Sequence, residues 1–160
     1  MTGTLTFRSA APGDEPRIAW FVRALADYEK LLHEAVATEA DYTEALFGTP
    51  PRCHAIFAER DGKQLGFALW CYNFSTFVGR HGLYVEDVFV LPEFRGQGIG
   101  KGLFSELARR AVAEGCLRME WSVLDWNEPA RKFYGTIGAR PMDEWTVQRL
   151  TGDALKALAG

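Results

Sequence analysis

The chain has no apolar run approaching the ~20 residues that a membrane-crossing helix needs, and its first residues carry no basic-then-apolar leader pattern. A soluble, cytoplasmic protein is therefore expected, with no membrane partner. Cysteine is scarce: Cys53, Cys71 and Cys116 are odd in number, widely spaced and set in apolar contexts. With no CxxC among them, they read as reduced, buried thiols rather than a disulfide framework or a metal cluster. His33, His54 and His81 are equally scattered, so no metal is expected. Basic residues are not in excess: 18 Lys and Arg stand against 21 Asp and Glu, and the net charge of −3 argues against nucleic acid as a partner. Repeats, low-complexity tracts and obvious linkers are missing too, which at 160 residues points to one domain spanning 1–160 with a substantial core.

Two nucleotide-binding signatures are also absent. A P-loop needs Gly, four residues, then Gly-Lys-Ser/Thr; here Gly100-Lys101 is followed by Gly102, and Arg95 stands where the first glycine belongs. The G-x-G-x-x-G fingerprint fails as well, since Lys101 or Leu103 falls in the place of its third glycine. What is present, in a chain that is 48% hydrophobic and 24% charged, is a glycine row at 96, 98, 100 and 102 between an apolar strand and an amphipathic helix. Glycine costs up to ~1 kcal/mol relative to alanine inside a helix, so four in a row suggest a purpose. Without Cβ atoms the main chain can approach a ligand closely and take positive φ. The N–H groups of a first helical turn and the positive end of the helix dipole then form an anion site. Arg95 and Lys101 add cations at its edges, and the reading is a phosphate or pyrophosphate cradle.

Periodicity places the other elements. Residues 5–8 alternate as a strand, and Asp14 with Pro16 opens a helix carrying Ile18, Phe21, Val22, Leu25 and Leu32. Thr38 and Asp41 resemble a capping box for a helix ending near Gly48. Residues 53–59 and 64–74 read as strands joined by Asp61-Gly62, a hairpin signal. A further strand runs over 83–91, a helix from about Ile99 to Gly115, and a strand over 117–124. Asn127 caps a short helix closed by Gly138; residues 145–150 read as a last strand, and Thr151 begins a final helix. The βαβ stretch over 83–124 pairs its strands in parallel, whereas the hairpin is antiparallel. One mixed, twisted sheet with helices on both faces follows.

Arg95-x-x-Gly98-x-Gly100 after a strand, with Asn127 and Phe133-Tyr134 in a second βα unit, resembles the GNAT superfamily of acyl-CoA-dependent N-acetyltransferases. The stretches 84–90, 95–100 and 126–129 with Phe133-Tyr134, and upstream 27–29 and 38–39, are similar to the spermidine/spermine (diamine) acetyltransferases. The resemblance implies a GNAT-like α/β fold with about six to seven strands and helices on both faces. It also implies acetyl-CoA as cofactor, no metal, a small-molecule amine as acceptor, and a homodimer to whose contact the last strand and helix contribute. By the same resemblance Val88, Phe89 and Val90 lie along the pantetheine arm, and Arg95, Gly96, Gln97, Gly98, Ile99, Gly100 and Lys101 hold the pyrophosphate. Asn127, with Glu128 and Pro129, contacts the cofactor near the pantetheine, and Tyr134 stands by its sulfur. Tyr28, Glu29 and Glu86 face the acceptor, with Glu120, Trp121 and Ser122 on a further acceptor-side strand.

The chemistry explains why those residue types are needed. An alkylammonium has a pKa near ~10.4 and must lose a proton before it attacks, which a carboxylate such as Glu86 can accept, through water. A main-chain N–H, expected at Val88, stabilises developing oxyanion charge. A phenol of pKa near ~10, Tyr134, can protonate a thiolate whose conjugate acid lies near ~8.5. Glu86 and Asp87 are strand neighbours and by alternation point to opposite faces, so one of them is expected in the site. Glu29, Glu86 and Asp27 suit a cationic acceptor, polyamine or thialysine- and lysine-like. Two departures weaken the polyamine option: the tail Leu155–Gly160 lacks an acidic ending, and Arg80 and His81 place cations near the expected acceptor mouth. A peptide acetyltransferase and a non-catalytic acyl-CoA-binding module are the alternatives.

Overall fold

A computed structural model describes residues 3–160, divided into two compact units, Met1–Ser122 and Val123–Gly160. The first unit holds β1 (Thr6–Ser9), α1 (Glu15–Tyr28), α2 (Glu39–Phe47), β2 (His54–Arg60), β3 (Lys63–Ser75), β4 (Arg80–Val90), α3 (Ile99–Ala113) and β5 (Met119–Trp121). They form one five-stranded sheet in sequence order, antiparallel from β1 to β4 and parallel between β4 and β5. The Asp61-Gly62 signal is borne out: both residues have left-handed φ, 52° and 74°, which two-residue hairpin loops require.

Strand alternation sorts the sheet into two faces. Ile56, Ala58, Ala68, Trp70, Leu83 and Val85 pack against Ile99, Leu103, Leu107 and Ala111, the apolar stripe of α3. Ala55, Phe57, Phe67, Leu69 and Phe89 pack on the other side against Ile18 and Phe21 of α1 and Leu46 of α2. Helices thus cover both faces, as periodicity predicted. Gly102 lets α3 approach closely, because a Cβ there would stand 2.5 Å from the Phe7 ring.

Helix starts are only partly as read. The Thr38 box has both arms: the Asp41 N–H donates to Thr38 Oγ1 at 3.3 Å and the Thr38 N–H to Asp41 Oδ2 at 2.7 Å. Asp14 takes the N-cap position but makes no side-chain cap bond. Its carboxylate accepts from Arg8 at 2.7 and 3.1 Å and from the Ala11 N–H at 2.8 Å. A bidentate guanidinium outcompetes the helix amides for those oxygens.

The second unit holds α4 (Glu128–Thr136) and α5 (Gly152–Ala159) and, among its described residues, no strand. The expected strand over 145–150, and with it a count of six to seven, is corrected to five. The apolar alternation there is real, yet Trp145 and Val147 are 73% and 78% exposed. A strand needs a ladder for its main chain as well as a face, and this segment pairs with none. No helix among the described residues is long and apolar enough to cross a membrane.

Leu107 is fully buried in the α3 stripe. Leu107→Ala should lower unfolding stability by about 2–5 kcal/mol, measured by chemical denaturation. A loss under ~1 kcal/mol would show that α3 does not anchor this face.

Candidate active site

The sheet changes character at one residue of β4. Leu69 of β3 pairs with Asp87, but Trp70 pairs with Val85, so Glu86 is an extra residue and a β-bulge. The register shift moves the strand's faces by one: Val85 belongs to the α3 side and Phe89 to the α1–α2 side. Strand alternation predicts opposite faces for Glu86 and Asp87, but the bulge puts both carboxyl groups on the α1–α2 side, where both act on Cys53. The parallel ladder with β5 ends in the same place, its last pair being Val85 with Trp121. Beyond it the Leu91 N–H donates to Leu65 O at 2.9 Å. By period two, Phe89 also directs its main chain to β3, so that of Val88 and Val90 points to the other side, where no strand among the described residues pairs with it.

Asp87 is mostly buried, and burial together with the charges of Glu86 and Glu29 pushes its carboxyl up to about 7. Burial also raises Glu29, at the end of α1. Of the pair, Asp87 is the more buried and Glu86 is exposed. The only sequence signal for this was the two adjacent acids in an apolar strand. Tyr28 lies against Phe89, ring centroids 6.3 Å apart, and the Arg95 guanidinium covers both rings at 4.6 and 5.3 Å. Arg95 also donates to Val90 O at 3.0 Å, so it joins the glycine turn to Tyr28.

In that turn the glycines divide their work. Gly96 and Gly98 have φ of 74° and 78°, values that favour glycine, and Gly98 is the N-cap of α3. The first intrahelical bond is Gly102 N–H to Gly98 O at 2.9 Å, so the N–H groups of Ile99, Gly100 and Lys101 have no partner within the helix. Gln97 accepts from Arg60 at 3.2 Å on the exposed rim. The segment 96–98 is exposed and Ile99 is buried beneath it. An exposed glycine turn leading into the helix amides of Gly100 and Lys101, over the apolar floor of Ile99, fits a diphosphate.

On β5, Glu120 pairs with Arg118 at 3.0 Å and accepts from Asn73 at 3.0 Å. Trp121 packs on Phe104 of α3 at 4.8 Å, and Ser122 Oγ lies 3.0 Å from Tyr84 Oη. His81 shares the strand face of Leu83 and Val85. It stands edge-on to Tyr72 at 5.7 Å on the α3 side, where the Tyr72 hydroxyl donates to Glu114. Its ring nitrogen, the Glu114 carboxylate and the Cys116 sulfur lie within 4.8 Å of one another.

In the second unit Asn127 caps α4 as read from the sequence: its Oδ1 accepts from the Ala130 N–H at 3.4 Å, and its side chain is buried. Glu128 and Pro129 form the first turn, and Glu128 pairs with Lys132 at 2.8 Å. Tyr134 lies in the last turn, half-buried against Phe133 at 5.6 Å.

Comparison with known proteins adds to this geometry. A family model described as "Acetyltransferase (GNAT) family" matches residues 19–139. A thialysine N-epsilon-acetyltransferase of Sus scrofa is 36% identical, covering 98% of each chain. An L-ornithine N5-acetyltransferase of Arabidopsis thaliana is 31% identical, over 94% of this chain and 86% of its own. An integron cassette protein from the V. cholerae mobile metagenome superimposes with a TM-score of 0.80 at 29% identity, covering 97% of each chain.

Asp87 yields a stability test. Its folded carboxyl holds its proton up to about 7, against ~3.9 for an unperturbed aspartate. Its contribution to stability is therefore full below pH ~4 and is lost as pH rises through 7. Asp87→Asn, which stays neutral, should melt several degrees above the parent at about pH 8, and the gap should narrow toward pH ~4. A gap independent of pH would show that Asp87 is an ordinary, ionised aspartate.

Proposed function

The chain belongs to the acetyltransferase (GNAT) family, and from that premise we propose that it acetylates the side-chain primary amine of a small basic amino acid, of the thialysine, lysine or ornithine class, by direct attack in a ternary complex with acetyl-CoA. The observation that carries the reading is the junction at the bulge. There an open strand edge, Val88–Val90, runs into a glycine-capped helix start, and two carboxyl groups stand beside it on the α1–α2 side. The thialysine and ornithine relatives are both named for acceptors with an ω-amine on an amino-acid backbone.

Acetyl-CoA, when bound, supplies an activated acyl thioester. The amides of residues 96–101 with Arg95 and Lys101 would hold its diphosphate, and the Val88–Val90 edge would receive its pantetheine as an added strand. Asn127, at the buried start of α4, would bind the same arm, with Glu128 and Pro129 shaping that turn. The Val88 N–H would meet the negative charge that builds on the carbonyl oxygen. On the acceptor side Tyr28, Glu29 and Glu86 attract the ammonium, and Glu120, Trp121 and Ser122 border that region from β5. An ammonium beside Glu86 must yield a proton before attack, and Asp87, at about 7, is matched to accept it through water near neutral pH. Tyr134 carries the proton that the departing thiolate takes up. Holding both reactants together supplies much of the remaining rate.

Thiol release from acetyl-CoA should be measured against thialysine, lysine, ornithine, spermidine, an aminoglycoside and a lysine-containing peptide. The amino acids should give the highest kcat/KM; turnover of the peptide alone would overturn this acceptor class. Tyr134→Phe should lower kcat at least tenfold, within the ~10²–10⁴ range of general acid catalysis, while coenzyme affinity changes little. An unchanged kcat with chemistry rate-limiting would remove Tyr134 from this role.

A further inference from the structure

Cys53 and Cys71 come from different strands. The last registered pair at their end of the hairpin is His54 with Trp70, so one further step sets Cys53 opposite Cys71. The Cys53 N–H donates away from β3, to Ala45 O at 3.2 Å, and Ala55 O accepts from the Ala10 N–H at 2.9 Å on the same outer side. Cys53 and Cys71 therefore form a non-hydrogen-bonded antiparallel pair, a position where opposed Cα atoms lie ~4.5 Å apart. A disulfide spans Cα distances of ~4.4–6.8 Å. Both side chains share the α1–α2 face: Cys53 packs on the cluster of Phe57 and Phe67, and Cys71 follows Phe67 and Leu69 in alternation. Both thiols are free and half-buried. Burial, with the nearby carboxylates, raises each of them: Cys53 feels Cys71, Glu86 and Asp87, and Cys71 feels Glu86. Raised thiols exchange slowly, so the pair stays reduced until an oxidant is in excess.

We propose that Cys53 and Cys71 are a modification site, closing a reversible cross-strand disulfide with a disulfide-class oxidant and thereby weakening amine binding at Glu86 and Asp87. One thiolate attacks the oxidant's S–S bond, forming a mixed disulfide and expelling one thiol. The second cysteine, losing its proton, attacks the protein sulfur of that mixed disulfide and expels the other thiol. Two protein thiols are oxidised and one oxidant disulfide is reduced to two thiols. The product removes two S–H groups from beside the carboxyl pair and ties the end of β2 to β3, next to the Leu69–Asp87 pair. The linkage rests on sheet register alone, and its effect on the amine rests on the acetyltransferase reading.

The full chain, reduced and then incubated with oxidised glutathione, should be alkylated in denaturant and mapped by mass spectrometry. Free thiols should fall from three to one, with the Cys53 peptide linked to the Cys71 peptide. Cys116→Ser should still form the link, whereas Cys53→Ser should stop at a glutathione adduct on Cys71. Glutathione adducts on both cysteines without a link, or a link to Cys116, would overturn the pairing. In the linked protein KM for the amine should rise about threefold or more, reversed by dithiothreitol and absent in a Cys53→Ser, Cys71→Ser double variant treated alike. An unchanged KM in fully linked protein overturns the effect on the amine. Absence of turnover in the reduced protein would instead fault the acetyltransferase reading and leave the thiol result intact.

Discussion

The inserted residue at Glu86 determines what the sheet can present. A regular strand would have placed Asp87 on the α3 side and Glu86 on the other, each with a single neighbour above and below. The bulge lets one strand serve the α3 core through Val85 and the α1–α2 core through Phe89. It also coincides with the end of the β4–β5 ladder, so the main chain that follows has a free edge. Bulges bend a strand and increase its local twist, and here the distortion falls where two acids share a face. Core packing and candidate chemistry thus depend on one extra residue.

Burying a carboxyl group beside two other acids disfavours its charged form, and Asp87 responds by holding its proton to near neutrality. The unit around it shows the opposite treatment of acids. Asp14 and Glu59 are both bonded to Arg8, and Glu106 is bracketed by Arg109 and Arg110. Asp14 and Glu106 lie below the usual carboxylate range because of those guanidinium bonds. Around Asp87, by contrast, the neighbouring charges that act on it are the acids Glu86 and Glu29.

Much of this was legible in the residues. The two faces of the sheet, the hairpin at Asp61-Gly62, the parallel βαβ unit, the Thr38 box and the Asn127 cap follow from spacing and local chemistry. The positive φ at Gly96 and Gly98 was implied by their having no side chain. The bulge was not legible, because one inserted residue changes no composition and leaves both halves of the strand apolar. Asp14 was diverted by Arg8, a partner six residues away that competes with the helix for the same oxygens. Residues 145–150 have the pattern of a strand and lack a ladder to join. Period two along β4 puts His81 with Leu83 and Val85 on the α3 side, a placement that its scattered position among the histidines did not reveal.

The contact between Gly102 and Phe7 has a consequence for how such chains diverge. Because the helix rests on that ring with no room for a Cβ, position 102 cannot gain a side chain while Phe7 stays as it is. A lineage that acquires an alanine at 102 must trim the aromatic at 7, turn it aside, or set its helix farther from the sheet. A side chain at 102 should therefore appear together with a change at 7 across descendants of this ancestor, although the two positions are 95 apart along the chain.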